Sequence, residues 1–299
     1  MAERASIRRR TKGETGMKLS RWKALMVVLS AFVLVGVACG GGSSKKALLD
    51  QVKESGKLRV ATDPAYPPQS SYDEATGTWE GFDIDVATEV AKRLGVEVDW
   101  QTPTWDLITA GNWNDRWDIS VGSMTPIKER QQVLDFSPPY YFVPAVVVIK
   151  NDSSFTSLDQ LAGKSIGSCA PCTYSFYIDR TLDIPGFPAT FVLPEDMQFT
   201  GYDTDSTALQ NLELGRLDAV LTSLTTATAA IAAGSSFKLL GDPVFYEPDS
   251  MAIDKNASDP ESLAAAVTQI VNEMHADGTL STLSKKWFDG LDLSVSAAG

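Results

Sequence analysis

Residues 117–130 read WDISVGSMTPIKER, and this stretch indicates both the fold class and a first candidate site. The apolar residues Ile119 and Val121 within 118–121 predict a short strand. A helix is predicted next, because Thr125 suits the N-cap position and Pro126 the first helical position. A helix that begins at the end of a strand presents free N–H groups to an anion. Arg130, one turn further on, carries a planar guanidinium that fits a carboxylate through two hydrogen bonds, unless it is an exposed arginine on a solvated helix.

The alternation of short apolar strands and amphipathic helices continues on both sides of this stretch. Residues 58–62 are a predicted strand, and residues 85–95 a predicted helix whose start Asp85 caps and which Gly95 ends. Alternation of this kind is typical of an α/β protein with largely parallel sheets. Further predicted strands are 96–100, 164–168 and 218–222, and further predicted helices are 206–214, 223–233, 259–274 and 280–288.

The first 38 residues differ in composition from the rest of the chain. They contain eight Lys or Arg residues and end in an uncharged apolar stretch of 15 residues at 24–38. A membrane-spanning helix needs about 20 residues, so this length fits a signal peptide. The order basic, apolar, small, cysteine resembles a bacterial lipoprotein signal in which Cys39 becomes acylated, although Gly36 stands where Leu is usual. The alternatives are a short anchor helix with an incidental cysteine, and a true start at Met17.

The charge of the remaining chain argues against one class of partner. The 299 residues include 26 Lys and Arg and 38 Asp and Glu, of which the first 38 residues hold eight and two. The remainder therefore carries a net charge near −18, and so acidic a surface repels the phosphates of nucleic acids. Residues 39–46 read as a flexible tether. The part that follows is long enough for one large or two small domains.

The cysteines Cys169 and Cys172 stand in the motif Cys-Ala-Pro-Cys, which leaves several interpretations open. A short structural disulfide is favoured in an oxidising exterior. A zinc site needs more ligands, and the one histidine, His275, lies about 100 residues away. A redox pair lacks the surrounding strand and helix pattern, and two free thiols are the last alternative.

No catalytic, metal or cofactor motif stands out. One histidine gives no Ser-His-Asp or Cys-His arrangement, and neither a P-loop nor a dinucleotide fingerprint is present. Asp83 and Asp85 would share a face on a strand, which suits acid/base work. Because a helix is predicted from Asp85, loop solvation and helix capping are the favoured roles for this pair. We expect no metal and no cofactor.

Two other positions are candidate ligand contacts. Tyr66 lies in DPAYPP, where prolines hold the ring in a loop that can face a cleft, although aromatic rings more often pack in a core. Thr173 follows a predicted strand and can offer its hydroxyl and N–H to an anion where the next helix begins.

Six segments together resemble the family-3 extracellular solute-binding proteins, the polar amino-acid-binding partners of ABC importers. They occur in the order of that family and cover nearly the whole chain after the leader. The segments are LRVATDPAYPP (58–68), GFDIDVATEVAKRLG (81–95), WDISVGSMTPIKERQQVLDFSPPYY (117–141), LDQLAGKSIG (158–167), LELGRLDAV (212–220) and ADGTLSTLSKKWF (276–288).

The resemblance implies an α/β fold of the two-lobe periplasmic-binding-protein type II, with two crossover hinge strands and a ligand held between the lobes. Lobe 1 is then formed by residues 47–145 together with 251–290, and lobe 2 by residues 146–250. Residues 291–299 form a C-terminal tail.

The resemblance also implies a set of ligand-binding residues. Arg130 and Thr125 hold the ligand carboxylate, and Thr173 closes on it from lobe 2. The Gly122 carbonyl and Ser123 take the amino group. The remaining implied contacts are Tyr66, which stacks on the ligand, Asp63, which meets a cationic side chain, and Trp105, which forms part of the pocket wall.

Two positions depart from the pattern of that family. Ser223, which its family position also implies as a ligand contact, stands where many relatives carry an Asp that pairs with the ligand ammonium. Residues 171–173 read Pro-Cys-Thr where a Gly-Thr turn is usual. A charge-assisted hydrogen bond contributes roughly twice as much as a neutral one, so the lack of an Asp at position 223 removes a strong contact to a ligand ammonium. Asp106, Asp203 or Asp205 could supply the charge, or the ligand lacks a free α-amine.

The function implied by the resemblance is capture of an amino acid or related small carboxylate for an ABC permease, without catalysis. We expect a monomer, exported and lipid-anchored at the outer face of the cytoplasmic membrane or in the periplasm. One alternative is a dehydratase-like enzyme on the same scaffold, with Asp63 or Asp106 as its acid. The other is a ligand-sensing subunit that reports to a membrane partner.

Overall fold

The structure is a computed structural model, and it describes residues 46–295. The predicted signal peptide, the acylation site Cys39 and nearly all of the tether at 39–46 lie outside the described residues, as does the end of the C-terminal tail. Among the helices of residues 46–295, none has both the length and the apolar character that crossing a membrane requires.

The described chain alternates strands and helices in the manner predicted. Two 3-10 helices, Arg130–Gln132 and Leu158–Leu161, are also present. In chain order the elements are α1 (Leu48–Ser55), β1 (Lys57–Ala61), β2 (Ala65–Tyr66), β3 (Ser70–Asp73), β4 (Thr78–Glu80), α2 (Phe82–Leu94), β5 (Glu97–Gln101), α3 (Trp105–Thr109), β6 (Ile119–Met124), β7 (Leu134–Phe136), β8 (Tyr141–Lys150), β9 (Ser165–Cys169), α4 (Thr173–Ile178), β10 (Gln198–Tyr202), α5 (Asp205–Glu213), β11 (Ala219–Ser223), α6 (Leu224–Ala232), β12 (Phe237–Leu239), β13 (Phe245–Asp254), α7 (Pro260–Ala276) and α8 (Thr279–Trp287).

One continuous sheet passes through both lobes, in the order β10-β9-β11-β8-β13-β6-β1-β5, with β12 beside β8 and β7 beside β13. The outer pairs β1–β5, β1–β6, β9–β10 and β9–β11 are parallel. The central strands β8 and β13 are antiparallel to each other. Strands β2, β3 and β4 form a separate small sheet.

Strands β8 and β13 are the two crossover strands that the resemblance implies. Residues 141–145 of β8 pair with residues 245–249 of β13. Beyond this shared part, β8 continues beside β11 and β12, whereas β13 continues beside β6 and β7. Each strand therefore passes from one lobe into the other, and the two-lobe α/β fold is confirmed.

Each lobe has its own apolar core. Val86 and Val90 of α2 are fully buried in the first core, together with Val267 and Val271 of α7. The C-terminal helices thus pack against the N-terminal part of the chain. In lobe 2, the apolar side chains of β8, β9 and β11 are buried between α4 on one face and α5 and α6 on the other. The lobe boundaries at 145/146 and 250/251 stay a prediction.

The start of helix α2 differs from its prediction. The helix begins at Phe82, and its N-cap is Gly81, not Asp85. Gly81 has φ +137°, and a Cβ at this position would collide with the carbonyl of Gln69, so glycine is required. Asp85 instead accepts a hydrogen bond of 2.6 Å from the indole of Trp287 in α8. Gly95 ends the helix as predicted.

The helix predicted from Pro126 is wrong. The segment after β6 contains only the single 3-10 turn Arg130–Gln132. The Thr125 carbonyl, which would accept the first helical hydrogen bond from the Glu129 N–H, accepts instead from the Ile127 N–H at 2.9 Å and from Arg130 Nη1 at 3.0 Å. The Lys128 N–H donates to the carbonyl of Asp183 in lobe 2 at 2.9 Å, and this contact holds the segment against lobe 2. The binding of an anion by a helix N-terminus therefore does not apply at this position.

Candidate functional site

A cavity of about 710 Å³ lies between the two lobes. Its wall is formed by loops after β1, β5 and β6 in lobe 1, by the segment from Cys169 to Tyr174 and by residues 203–205 in lobe 2, and by Glu247 of β13. The predicted ligand-binding residues on this wall are Asp63, Tyr66, Trp105, Gly122, Ser123, Thr125, Arg130 and Thr173. Ser223 is not among the cavity-lining residues.

Arg130 is a buried cation on the cavity wall, with 5% of its surface exposed. Its Nη1 donates to the Thr125 carbonyl at 3.0 Å, and its guanidinium carbon lies 5.1 Å from the centre of the Trp105 ring. The Trp105 indole in turn donates to the Pro171 carbonyl of lobe 2 at 3.0 Å. These contacts fix the guanidinium in place and leave most of its N–H groups available to a ligand.

The charge on Arg130 is retained at neutral pH although the group is buried. Burial lowers its pKa to about 10, and the nearby carboxylates of Glu247 and Asp249 oppose this change. Among residues 46–295, no carboxylate is hydrogen-bonded to the guanidinium. A buried charge without a close partner is costly, so this position is suited to an anionic group of a ligand.

Ser123 has a left-handed backbone, with φ +53°, that its neighbours hold in place. The N–H of Ser123 donates to the Tyr140 hydroxyl at 2.9 Å, and its own hydroxyl donates to Asp83 Oδ2 at 2.7 Å. Tyr140 donates to Asp83 Oδ1 at 2.7 Å, and the Tyr141 hydroxyl also contacts the Ser123 hydroxyl. The network presents Gly122 and Ser123 to the cavity in one fixed conformation.

The roles predicted for Asp83, loop solvation and helix capping, are therefore wrong. Because α2 begins three residues earlier than predicted, Asp83 points inward and is fully buried. Burial raises its pKa to about 7, while the hydrogen bonds from Tyr140 and Ser123 oppose the rise. Asp83 orients Ser123 from behind the cavity wall.

We expect Tyr140→Phe to lower the free energy of unfolding by about 1–3 kcal/mol, because the Ser123 N–H and one Asp83 oxygen lose their partner. Tyr141→Phe is the matched control, since this equally buried ring also packs on Phe82, but among residues 46–295 its hydroxyl is hydrogen-bonded to Ser123 alone. Urea denaturation of both variants measures the difference. A loss in Tyr141→Phe as large as that in Tyr140→Phe would contradict this account.

Glu247 and Asp249 are buried acidic residues that sequence reasoning missed. The Glu247 carboxylate accepts from the Thr125 hydroxyl of lobe 1 at 3.1 Å, and from the Thr173 and Tyr174 hydroxyls of lobe 2, the latter at 2.5 Å. Thr125 also donates to Asp249 at 2.9 Å. Burial raises the pKa of both carboxyls, and Glu247 raises that of Asp249 further. The available signal was their spacing, because residues two apart on a strand share a face.

The acidic alternatives to the missing family Asp all reach the cavity. Asp106 and Asp203 are exposed, whereas Asp205 is buried with 5% of its surface exposed. Asp63, the implied contact of a cationic side chain, is half-buried on the same wall. Ser223 has a different role, since its hydroxyl accepts from the Thr226 N–H at 3.0 Å and caps α6.

Cys169 and Cys172 form a disulfide in the structure. The turn that it closes lies on the cavity wall, and Cys172 is the N-cap of α4, which carries Thr173 and Tyr174. Within residues 46–295 no group of three or more His, Cys, Asp or Glu side chains is placed to hold a metal ion.

Comparison with known proteins shows which proteins this chain resembles. Residues 58–290 match the family described as bacterial extracellular solute-binding proteins, family 3. The L-cystine-binding protein TcyJ of Escherichia coli (strain K12) is 30% identical over 275 residues, which cover 91% of this chain and 97% of that protein. The lysine/arginine/ornithine-binding periplasmic protein of the same strain is 29% identical, over 88% of this chain and 96% of its own length.

Two solved structures are similar to this chain in fold and in sequence. The P235GK mutant of ArgBP from T. maritima has a TM-score of 0.69 and 27% identity, covering 81% of this chain and 99% of that one. The ancestral amino acid-binding protein AncCDT-1, a precursor of cyclohexadienyl dehydratase, has a TM-score of 0.68 and 30% identity, covering 81% and 100%.

Proposed function

Because this chain belongs to the bacterial extracellular solute-binding proteins of family 3, we propose that its interlobe cavity captures an amino acid or a closely related carboxylate for an ABC permease. The observation that carries the proposal is Arg130, a buried cation on the cavity wall with no hydrogen-bonded carboxylate among the described residues. A ligand carboxylate would supply the missing partner through two hydrogen bonds.

Relatives support the choice of ligand class. Those named above are binding proteins for cystine and for lysine, arginine and ornithine, all of which carry a carboxylate. The cavity volume of about 710 Å³ lies within the range of small-molecule sites. The tryptophan beneath Arg130 gives the guanidinium a flat apolar support, on which a carboxylate can be held away from water.

Capture would proceed by closure of the lobes about β8 and β13. Several hydrogen bonds in the structure already join the two lobes. The Gln69 side chain donates to the Thr225 hydroxyl at 2.5 Å, Trp105 donates to the Pro171 carbonyl, and Lys128 donates to the Asp183 carbonyl. A ligand that contacts Arg130 from one lobe and residues of the other lobe would favour this closed arrangement.

Export, anchoring and partners follow from the same proposal. The family is extracellular, so a signal peptide at residues 1–38 with acylation of Cys39 would hold the protein outside the membrane beside its permease. We expect a monomer that binds no nucleic acid. We also expect release of the ligand unchanged, because the relatives named above are binding proteins.

A thermal-shift screen of the twenty amino acids, L-ornithine and L-cystine tests the proposal. A ligand at 100 times its Kd adds about 2.7 kcal/mol of stability, which raises the Tm of a domain of this size by roughly 5–10 °C. Calorimetry then gives the stoichiometry, and mass spectrometry of the released ligand tests for turnover. If no amino acid or related carboxylate shifts the Tm, the proposed function fails.

A further inference from the structure

Asp205 is a buried acidic residue, and its position in the fold does not explain why it is buried. It is the first residue of α5, where an acidic side chain is common because it interacts favourably with the helix dipole. Such residues usually face water, whereas Asp205 is 95% buried and lines the cavity. Its Oδ1 has no hydrogen-bond partner among residues 46–295.

The helix does not need this carboxylate as a cap. The N-cap of α5 is Thr204, whose hydroxyl accepts from the Thr207 N–H at 3.1 Å. Asp205 also has no ion-pair partner within the described chain. A buried carboxylate that has one oxygen without a hydrogen-bond partner and no ion pair is costly, so the position calls for a donor from outside the chain.

The surroundings of Asp205 favour a cation. Burial first, and then the negative charges of Glu247 and Asp63, raise its pKa to about 7, while interactions with the Thr222 hydroxyl and the Cys169 backbone N–H oppose the rise. The neighbouring Tyr66 phenol has a pKa raised well above its usual value, by burial and then by Asp205 and Glu247. Carboxylates that repel one another are stabilised together by one positive charge among them.

We propose that Asp205 is the binding partner of a protonated amine on the ligand and replaces the acidic group that Ser223 does not provide. This inference rests on the proposed function, because it places the amine in the same cavity in which Arg130 holds the carboxylate. The ligand is then a carboxylate that also carries a primary ammonium, anchored to lobe 1 by the anion and to lobe 2 by the cation. Binding of both groups would bridge the lobes.

Calorimetry with the twenty amino acids, L-ornithine and L-cystine tests the subsite on Asp205→Asn and on Asp242→Asn. Asp242 is an exposed aspartate of the same lobe that does not line the cavity, which makes it the matched control. For every amino acid that the wild type binds, we expect Asp205→Asn to weaken binding at least about 30-fold and Asp242→Asn less than threefold. Each bound amino acid is also compared with analogues that lack one amine, namely the α-hydroxy acid and, for a basic side chain, an analogue with a neutral side chain. We expect one of these analogues to bind the wild type as weakly as the parent amino acid binds Asp205→Asn. The analogue that loses affinity identifies the amine that Asp205 binds.

Unliganded stability separates a binding role from a structural one. Removal of an unpaired buried charge should leave the Tm of Asp205→Asn at pH 8 unchanged or higher, whereas a structural carboxylate would lower it. Asp205→Ser serves as a second variant of the same kind. Equal affinity of Asp205→Asn and the wild type, or a clear fall in Tm of both variants, would overturn the subsite alone. A wild type that binds no amino acid would overturn the proposed function and this subsite with it.

Discussion

Arg130→Met is expected to reduce amino-acid affinity by a factor of a hundred to several thousand. In the proposed function the buried guanidinium meets the ligand carboxylate, and loss of one partner from a buried ion pair costs about 3–5 kcal/mol. Methionine fills a similar volume, so the cavity wall is kept. Arg130→Lys should give an intermediate loss, because an ammonium retains the charge but lacks the two-pronged geometry.

Arg116→Met is the matched control for this prediction. Arg116 also lies over a tryptophan, with its guanidinium carbon 4.6 Å from the centre of the Trp117 ring, but it is exposed and outside the interlobe cavity. Its replacement should leave the affinity unchanged. Calorimetry on the three variants gives the comparison, and an affinity of Arg130→Met within threefold of wild type would exclude the carboxylate contact.

The fold was largely predictable because its signals are local. Helix α2 can be predicted from residues that are close together in the sequence. These are the residues of its apolar face, with Val86 and Val90, and the glycine that ends it. The predictions that were wrong, the helix from Pro126 and the start of α2, concern segments that contact distant parts of the chain. No local signal indicates that the Lys128 N–H meets the Asp183 carbonyl, which holds the segment after β6 against lobe 2, where one turn stands in place of the predicted helix. Similarly, the close approach of Gly81 to Gln69 sets the start of α2.

Residues of the cavity wall could be predicted where a sequence motif contains them, and not where only the tertiary fold brings them to the cavity. Arg130 and Thr125 reach the cavity wall although the helix predicted to carry them does not form. Glu247 and Asp249 were missed because only the antiparallel pairing of β13 with β8 brings them beneath the cavity. Ser223 was placed on the cavity because of its family position, whereas here the hydroxyl caps α6.

These buried carboxyls give the second large prediction, an unusual dependence of stability on pH. A carboxyl whose pKa is higher in the folded than in the unfolded state favours folding when protonated, and this contribution is lost as pH rises through the folded value. Asp83 and Asp205 both have a folded pKa of about 7, against about 4 in an unfolded chain. Each should therefore lower stability by about 2–4 kcal/mol between pH 5 and pH 8.

Carboxyls shifted in the opposite direction do not cancel this effect. Hydrogen bonds from Thr279 lower the pKa of Asp277 to about 2, so its stabilising contribution is complete above about pH 5. Arg130, with a pKa of about 10, stays protonated over the same range. The carboxyls of Asp83 and Asp205, whose pKa is raised, therefore dominate the pH dependence of stability between pH 5 and pH 8. The unliganded protein should be most stable at the acidic end of this range.

Urea denaturation of the unliganded protein at pH 5, 6, 7 and 8 measures this dependence. Asp205→Asn should remove part of the slope, because an amide does not titrate, whereas the exposed Asp203→Asn should leave it unchanged. A saturating amino acid should also flatten the slope, since an ammonium beside Asp205 lowers the pKa of that carboxyl and favours its ionised form. Stability that stays level or rises from pH 5 to pH 8 would mean that these carboxyls are ionised in the folded protein without cost. In that case the need for a cation at Asp205 would disappear.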